Sequence, residues 1–185
     1  MENQTIDGLN QANLTEFGKE FDNCVFKDCD FSKCNLSEYR FLECRFESCN
    51  LSLVKFNDTV VRECRFESCK LLGVNFFECN EFIFTASYDN CILKYASFKN
   101  MNLKSFKFSN CNLEESDFYG ADLSQSLFEN CNLYRAIFSD TNLEKADLRT
   151  ALNFTIDPDR NKIKKARFSR LALSGLLGKY NILIE

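Results

Sequence analysis

The sequence predicts an all-β solenoid, a four-faced parallel β-helix closed by a short C-terminal α-helix, and three observations carry that expectation. Stepping by five from Phe26 meets Phe31, Leu36, Phe41, Phe46, Leu51, Phe56, Val61, Phe66, Leu71 and Phe76, all large and apolar. Two residues before these stand small side chains, among them Cys24, Cys29, Cys34, Cys44, Cys49, Val54, Cys64, Cys69 and Val74. Longer motifs return after twenty: Glu43-Cys44-Arg45-Phe46-Glu47-Ser48-Cys49 recurs as Glu63-Cys64-Arg65-Phe66-Glu67-Ser68-Cys69. A period of five fits neither the 3.6 of a helix nor the 2.0 of a strand. It requires a chain that turns a corner every five residues, with two side chains of each unit facing one axis. Twenty residues then make one square coil, and coils stack at about 4.8 Å.

The elements follow in order. Leu9 and Ala12-Asn13-Leu14 read as early, out-of-phase units, so residues 1–20 are expected to form an N-terminal cap or imperfect first coil. The β-helix then spans 21–169. A slip at 77–82 inserts two residues, enough for a bulge that exposes Phe77 and Phe82 or folds them over the coil edge. The register resumes at Ile83 and runs through Tyr88, Leu93, Phe98, Leu103 and Phe108 to Leu148, with Leu and Phe faces alternating around the square. Phe106 is large where a small residue belongs, so the wall should bow there. Asn153 and Pro158 take the next two central positions, which makes 150–161 a loop across two faces before Ile163 and Phe168 return to register. Ser169 can cap a helix on which Leu173, Leu176, Leu177 and Tyr180 share a face. Gly175 and Gly178 weaken that helix, so packing must support it. Ile182-Leu183-Ile184 reads as a terminal strand. A segment this apolar, 170–185, caps the open coil, meets a second copy of the chain, or does both.

Composition narrows the chemistry. The 185 residues include 20 Phe and 11 Cys, and neither His nor Trp. Without His the commonest general base and metal ligand is missing, and no phosphate-binding loop or nucleophile elbow occurs. An enzyme is not expected, nor a cofactor. All eleven cysteines lie on the small-residue register, where later coils use Ala and Ser, so they read as core filler. A thiolate metal site is the weaker reading, because no tetrahedral ligand spacing appears. Parallel side chains on adjacent coils also disfavour disulfides. Reduced thiols, the absence of a long apolar run and the polar start Glu2-Asn3-Gln4 point to a cytoplasmic protein without a membrane span.

The net charge is −4. Residues 157–185 carry seven Lys and Arg against three acids, so residues 1–156 hold a net −8. An acidic rod is unsuited to nucleic acid and suited to a basic protein groove.

Units such as Ala121-Asp122-Leu123-Ser124-Gln125 and Cys131-Asn132-Leu133-Tyr134-Arg135 resemble those of pentapeptide repeat proteins. That resemblance covers about residues 21–169 and implies a right-handed quadrilateral parallel β-helix of pentapeptide repeats. The ending Leu171-Ala172-Leu173-Ser174-Gly175-Leu176-Leu177 with Tyr180-Asn181-Ile182-Leu183-Ile184 is similar to the tail of Qnr-type quinolone-resistance proteins, and Gly73-Val74-Asn75-Phe76 before the slip fits the same layout. The resemblance implies a homodimer joined end to end through Leu173, Leu176, Leu177, Tyr180, Ile182 and Ile184. It also implies a partner, DNA gyrase or topoisomerase IV, met by a rod that imitates DNA and protects the enzyme from quinolones or toxins. The residues expected at that partner are the acids Glu43, Glu63, Glu78, Glu115, Asp117 and Asp122, with Phe77 and Phe82 at the slip. Two features depart from the family pattern: the basic 160–170 segment, and the absence of long loops. The rival expectation is an adaptor rod with an unrelated protein partner. Over seven coils, about 35 Å, duplex DNA would carry about twenty charges, so mimicry by a net eight would rest on shape and charge placement.

Overall fold

The computed structural model describes residues 1–10 and 14–183, and they form a parallel β-solenoid. Nine short strands, centred on Ile6, Phe26, Phe46, Phe66, Tyr88, Phe108, Phe128, Leu148 and Phe168, stack into one sheet, here face 2. Phe26 pairs with Phe46 and Lys27 with Glu47, an offset of one coil. Face 1 begins as a three-stranded sheet centred on Phe21, Phe41 and Val61. Faces 3 and 4 are held by single parallel bridges, such as Asn112 to Asn132 and Asp117 to Ile137.

The corners explain the period. In almost every unit the residue two after the central one has a positive φ, from Asp28 and Glu43 through Tyr95 to Lys165. A non-glycine side chain in that left-handed region costs roughly 1–2 kcal/mol, least for Asn and Asp. Only two corners within the 21–169 stack use Gly, Gly73 and Gly120. At Gly120 a Cβ would meet the amide end of the Asn100 side chain one coil below, so a larger residue there requires that side chain to move. Polar residues before the central position have a structural task of their own. Asp30, Asn50, Asn112, Asp122 and Asn142 each accept the backbone N–H two residues on, at 2.8–3.2 Å.

The interior is two aromatic columns. Phe26, Phe46, Phe66, Tyr88, Phe108 and Phe128 stack on face 2 with centroids 4.8–5.3 Å apart. Phe76, Phe98, Phe118 and Phe138 do the same on face 4 at 4.7–5.2 Å. The columns meet edge to face, as in Phe98 with Phe108 at 79°. The Tyr88 hydroxyl, buried in its column, has no hydrogen-bond partner.

All eleven cysteines are buried and free. They fill space and also donate weak hydrogen bonds to carbonyls of the coil below: Cys49 to Phe26 at 3.4 Å, Cys69 to Phe46 at 3.3 Å and Cys131 to Phe108 at 3.4 Å. Thr59 and Thr141 do the same through their hydroxyls. Cys/Ser/Thr recurrence is therefore partly polar, not steric alone. Among the described residues no three His, Cys, Asp or Glu converge as a metal site.

Four expectations change. The first coil is in phase: Ile6 pairs with Phe26, Glu2 with Asp22 and Asn10 with Asp30. Leu9 and Leu14 take the small-residue register one coil before Cys29 and Cys34, while Ala12 and Asn13 lie outside the described residues. At the slip, Phe84 turns inward and Ile83 is exposed, because Thr85 N–H bonds to Val61 O and shifts the chain by one more residue. Phe84 stacks on Phe106 at 5.8 Å and 6°, so the oversized Phe106 finds a partner in the neighbouring coil. In the last coil Phe154 and Ile156 are buried, not Asn153 and Pro158, and irregular chain starts only after Leu152 still bridges Asn132. The terminal helix is a 3₁₀ helix, Arg170–Leu176, with a second turn at Gly178–Tyr180. Leu177 N–H bonds to Ser174 O, three residues back, in a segment too short and too glycine-rich for a stable α-helix. Residues 181–183 are not a strand, and Ile184 lies outside the described residues.

Burial pushes the thiols of Cys34 and Cys64 up, and that of Cys44 from 9.0 to about 11. A raised folded-state value leaves stability intact while both states keep their protons, below pH 9 for Cys44. Above that the unfolded chain alone loses protons, and stability falls until the folded thiol ionises near pH 11. The melting temperature should drop over this interval, and less so for Cys44→Ala. A profile identical in the two proteins would contradict the assignment.

Candidate partner-binding surface

The expected acidic residues do not gather at one place. Glu43 and Glu63 stack at the corner of faces 1 and 2, both exposed with φ of 54°. Arg45 and Arg65 flank them in the same shallow groove. Glu115 sits at the corner of faces 3 and 4, Asp117 on face 4 and Asp122 on face 1. Asp117 pairs with Lys99 at 3.1 Å and accepts Tyr119 N–H at 2.9 Å. Asp122 accepts Ser124 N–H and, at 3.1 Å, Asn142 Nδ2. Glu78 accepts Asn75 Nδ2 at 3.1 Å. Glu43, Glu63 and Glu115 make no ion pair with a described residue, which leaves these three with unspent charge.

Much of the remaining charge is spent within the solenoid. On face 2 Lys27 pairs with Glu47, Arg45 with Glu47 and Glu67, and Lys107 with Glu129. Arg45 gains a raised pKa from its bond to Glu67. Exposed pairs of this kind add about 0–1 kcal/mol each, but they cancel the field that a partner would feel.

The slip builds a distinct surface. Thr59 O accepts Asn80 N–H, and Glu63 N–H goes to the Thr85 hydroxyl at 2.7 Å, so the extra residues stay tied to the coil below. Phe77 is partly exposed and Phe82 is 88% exposed. With Glu81, Lys99 and Met101 they line an open groove of about 500 Å³. Of the expected set, the fold brings Phe77 and Phe82 together in this groove, with Glu78 next to Phe77 in the chain, and Glu43 and Glu63 together at their corner; the others stand apart.

An apolar strip went unrecognised in the sequence. Tyr95, Tyr119, Tyr134, Ile137 and Leu152 are exposed on faces 3 and 4, interleaved with polar residues of the neighbouring coils such as Asp117 and Asn132. The signal was present, because these residues occupy outward positions where most units carry polar ones. The strip runs into a groove of about 660 Å³ between Tyr134, Leu152 and the 3₁₀ segment at Leu171 and Ala172.

The C-terminal segment lies against the last coil. Ile156 N–H bonds to Gly175 O at 2.9 Å, Phe154 packs on Phe168 at 5.4 Å, and Lys179 bridges Asp157 and Asp159. These contacts lower the pKa of Asp157 and raise that of Lys179. Leu176 packs on the core, whereas Leu173, Leu177, Tyr180 and Ile182 stay exposed and Leu171 is 96% exposed. No helix among the described residues is long and apolar enough to cross a membrane.

A family model described as a pentapeptide repeat region matches residues 19–81 and 81–176. Among solved structures, a trypsin-treated form of QnrB1, a plasmid-mediated fluoroquinolone resistance protein, is 20% identical; 100% of this chain and 97% of that chain are covered, with a TM-score of 0.54. Full-length QnrB1 is 21% identical over 98% of this chain and 99% of that chain, with a TM-score of 0.51. HetL, a pentapeptide repeat protein involved in heterocyst differentiation regulation in the cyanobacterium Nostoc, is 16% identical over 91% and 84%, with a TM-score of 0.41. No curated protein matches the sequence significantly.

A Cβ on Gly175 would lie 2.7 Å from the Phe154 ring and closer still to the Phe154 carbonyl. Gly175→Ala should therefore lift the 3₁₀ segment, cost about 1–3 kcal/mol and open the tail to protease. At Gly178 a Cβ only touches the Thr155 methyl at 3.0 Å, so Gly178→Ala should do less. Equal effects in melting and limited proteolysis would refute this docking.

Proposed function

This chain belongs to the pentapeptide repeat family, and from that premise we propose that it is a non-catalytic cytoplasmic rod that binds a type II topoisomerase, DNA gyrase or topoisomerase IV, as a mimic of duplex DNA. Through that contact it counters a quinolone or a toxin. The observation that carries the reading is the match to QnrB1 along the full length of both chains, in a solenoid whose first 156 residues are acidic. Eight coil spacings at about 4.8 Å give a rod of about 38 Å, on which duplex DNA would carry about twenty-two charges. Glu43, Glu63 and Glu115, which carry no ion pair with a described residue, add to the field outside the rod, and Phe77 and Phe82 add apolar contact at the slip.

The rod acts as a homodimer joined through its C-terminal segment. Leu173, Leu177, Tyr180 and Ile182 supply the apolar surface, which supports self-association. A second reading, an adaptor for an unrelated protein, is favoured by the Tyr95, Tyr119, Tyr134 and Ile137 strip.

Two measurements separate these readings. Added protein should inhibit gyrase supercoiling or relieve its inhibition by a fluoroquinolone, and Glu43→Lys/Glu63→Lys should weaken the effect about tenfold or more. If supercoiling is indifferent to the protein with and without drug, the adaptor reading stands in its place. Light scattering should give the mass of a dimer that falls to a monomer for Leu173→Glu/Leu177→Glu; a wild-type monomer would remove the dimer.

A further inference from the structure

The last coil reverses the charge of the rod. Lys162 and Lys164 are its two outward residues on face 1, one coil above Asn142 and Glu144. Lys145 and Lys165 stack at the corner of faces 1 and 2, with φ of 61° and 60°. Arg167 follows on face 2 beside Phe168, Arg170 opens the 3₁₀ segment at the far end of that face, and all six side chains are exposed. Alternate residues of a strand stand about 6.8 Å apart and successive coils about 4.8 Å, so Lys145, Lys162, Lys164, Lys165 and Arg167 form one patch around the corner of faces 1 and 2, with Arg170 at its far edge.

The fold leaves five of the six cations without an ion pair to a described residue. Asp147 takes Arg149 at 2.7 Å and Arg167 at 3.9 Å. Asp157 and Asp159 are held by Lys179. Glu144 neighbours Lys164 in register without pairing with it. Lys145, Lys162, Lys164, Lys165 and Arg170 form no ion pair with any described residue, whereas Lys27, Arg45 and Lys107 earlier on face 2 are laddered to acids. Like charges stacked coil on coil cost stability, and an anion placed across them would remove that cost.

We propose that this basic end of the solenoid holds the phosphate backbone of a nucleic acid duplex, which crosses the last coil and does not lie along the acidic body. The patch offers point charges on a flat β surface and no element that enters a groove, so binding is to phosphates and indifferent to sequence. Its outward residues are Asn142, Glu144, Asp147, the four lysines, Arg167 and Arg170. A membrane surface would need apolar side chains among the cations, and a protein interface would need an apolar centre; the lysines of faces 1 and 2 have neither, and the exposed Leu171 lies beyond Arg170 in the groove with Tyr134 and Leu152. The net −8 of residues 1–156 limits the contact to one crossing. The proposal does not rest on the topoisomerase reading.

The test uses the full chain, a fluorescein-labelled duplex of arbitrary sequence and no topoisomerase, so its outcome and that of the supercoiling assay are independent. With about four phosphates neutralised, affinity should fall about a hundredfold between about 50 and 200 mM salt. Lys164→Glu/Lys165→Glu, both exposed, should lower affinity at least tenfold and reduce the salt slope by about two. Lys33→Glu/Lys55→Glu, exposed in the acidic half, should leave binding unchanged. Circular dichroism of both variants checks that the fold is kept. No anisotropy change at about 50 mM salt, or equal losses from the two double variants, would overturn the proposal. So would binding to phosphatidylserine vesicles without binding to the duplex, which would assign the patch to a membrane.

Discussion

One constraint governs the molecule: each coil must take twenty residues, so that every side chain lands on its counterpart one strand spacing away. The face-2 rings obey it with centroids 4.8–5.3 Å apart, near the separation of neighbouring strands. To close a coil the chain must turn four times, and it does so with left-handed residues at the corners. That local strain is offset by hydrogen bonds to the coils on either side, such as Asn50 N–H to Cys29 O and Leu51 N–H to Lys70 O. No unit is stable by itself, because its carbonyls, stacked ring and polar side chain all find partners only in adjacent coils.

Function on such a scaffold depends on what the repeat leaves free. A residue whose side chain serves the coil, such as Asp122 with its bonds to Ser124 and Asn142, has little left for a partner. The free groups are the unpaired corner acids, the bulge with Phe77 and Phe82, the tyrosine strip and the basic final coil. Three of these four lie where the repeat is broken or where outward positions depart from its usual polar residues. The surface thus divides into an acidic body, an apolar strip and a basic end, each suited to a different class of contact.

The fold was largely legible in the sequence, since a five-residue alternation of large and small residues has no other regular solution. The misreadings share a cause. Both Ile83 against Phe84 and Asn153 against Phe154 are choices between adjacent residues. Stepping by five cannot decide which of two neighbouring residues turns inward where the regular coil is interrupted. Thr85 bonding to Val61 and Glu63 decides the first, and the packing of Phe154 on Phe168 the second. The first coil was misread for a related reason: Leu9 and Leu14 are large residues placed in the small-residue register. The candidate site was less legible, because acidity along a chain does not reveal which carboxylates are paired.

By itself the sequence determined the square solenoid, the inward position of the in-register phenylalanines and the cysteines, the two-residue slip and the excess of acid over base in the first 156 residues. These are properties of period, and period is written in one dimension. Only the tertiary structure decided which acids are spent on Lys and Arg of neighbouring coils, that Phe84 and Phe106 complete each other, that the terminal helix is 3₁₀ and seated through Gly175, and that lysines from the last two coils form one unpaired patch. Each of these rests on contacts between residues about twenty apart or on the choice between neighbours inside an insertion. Such contacts exist only once the coils have stacked.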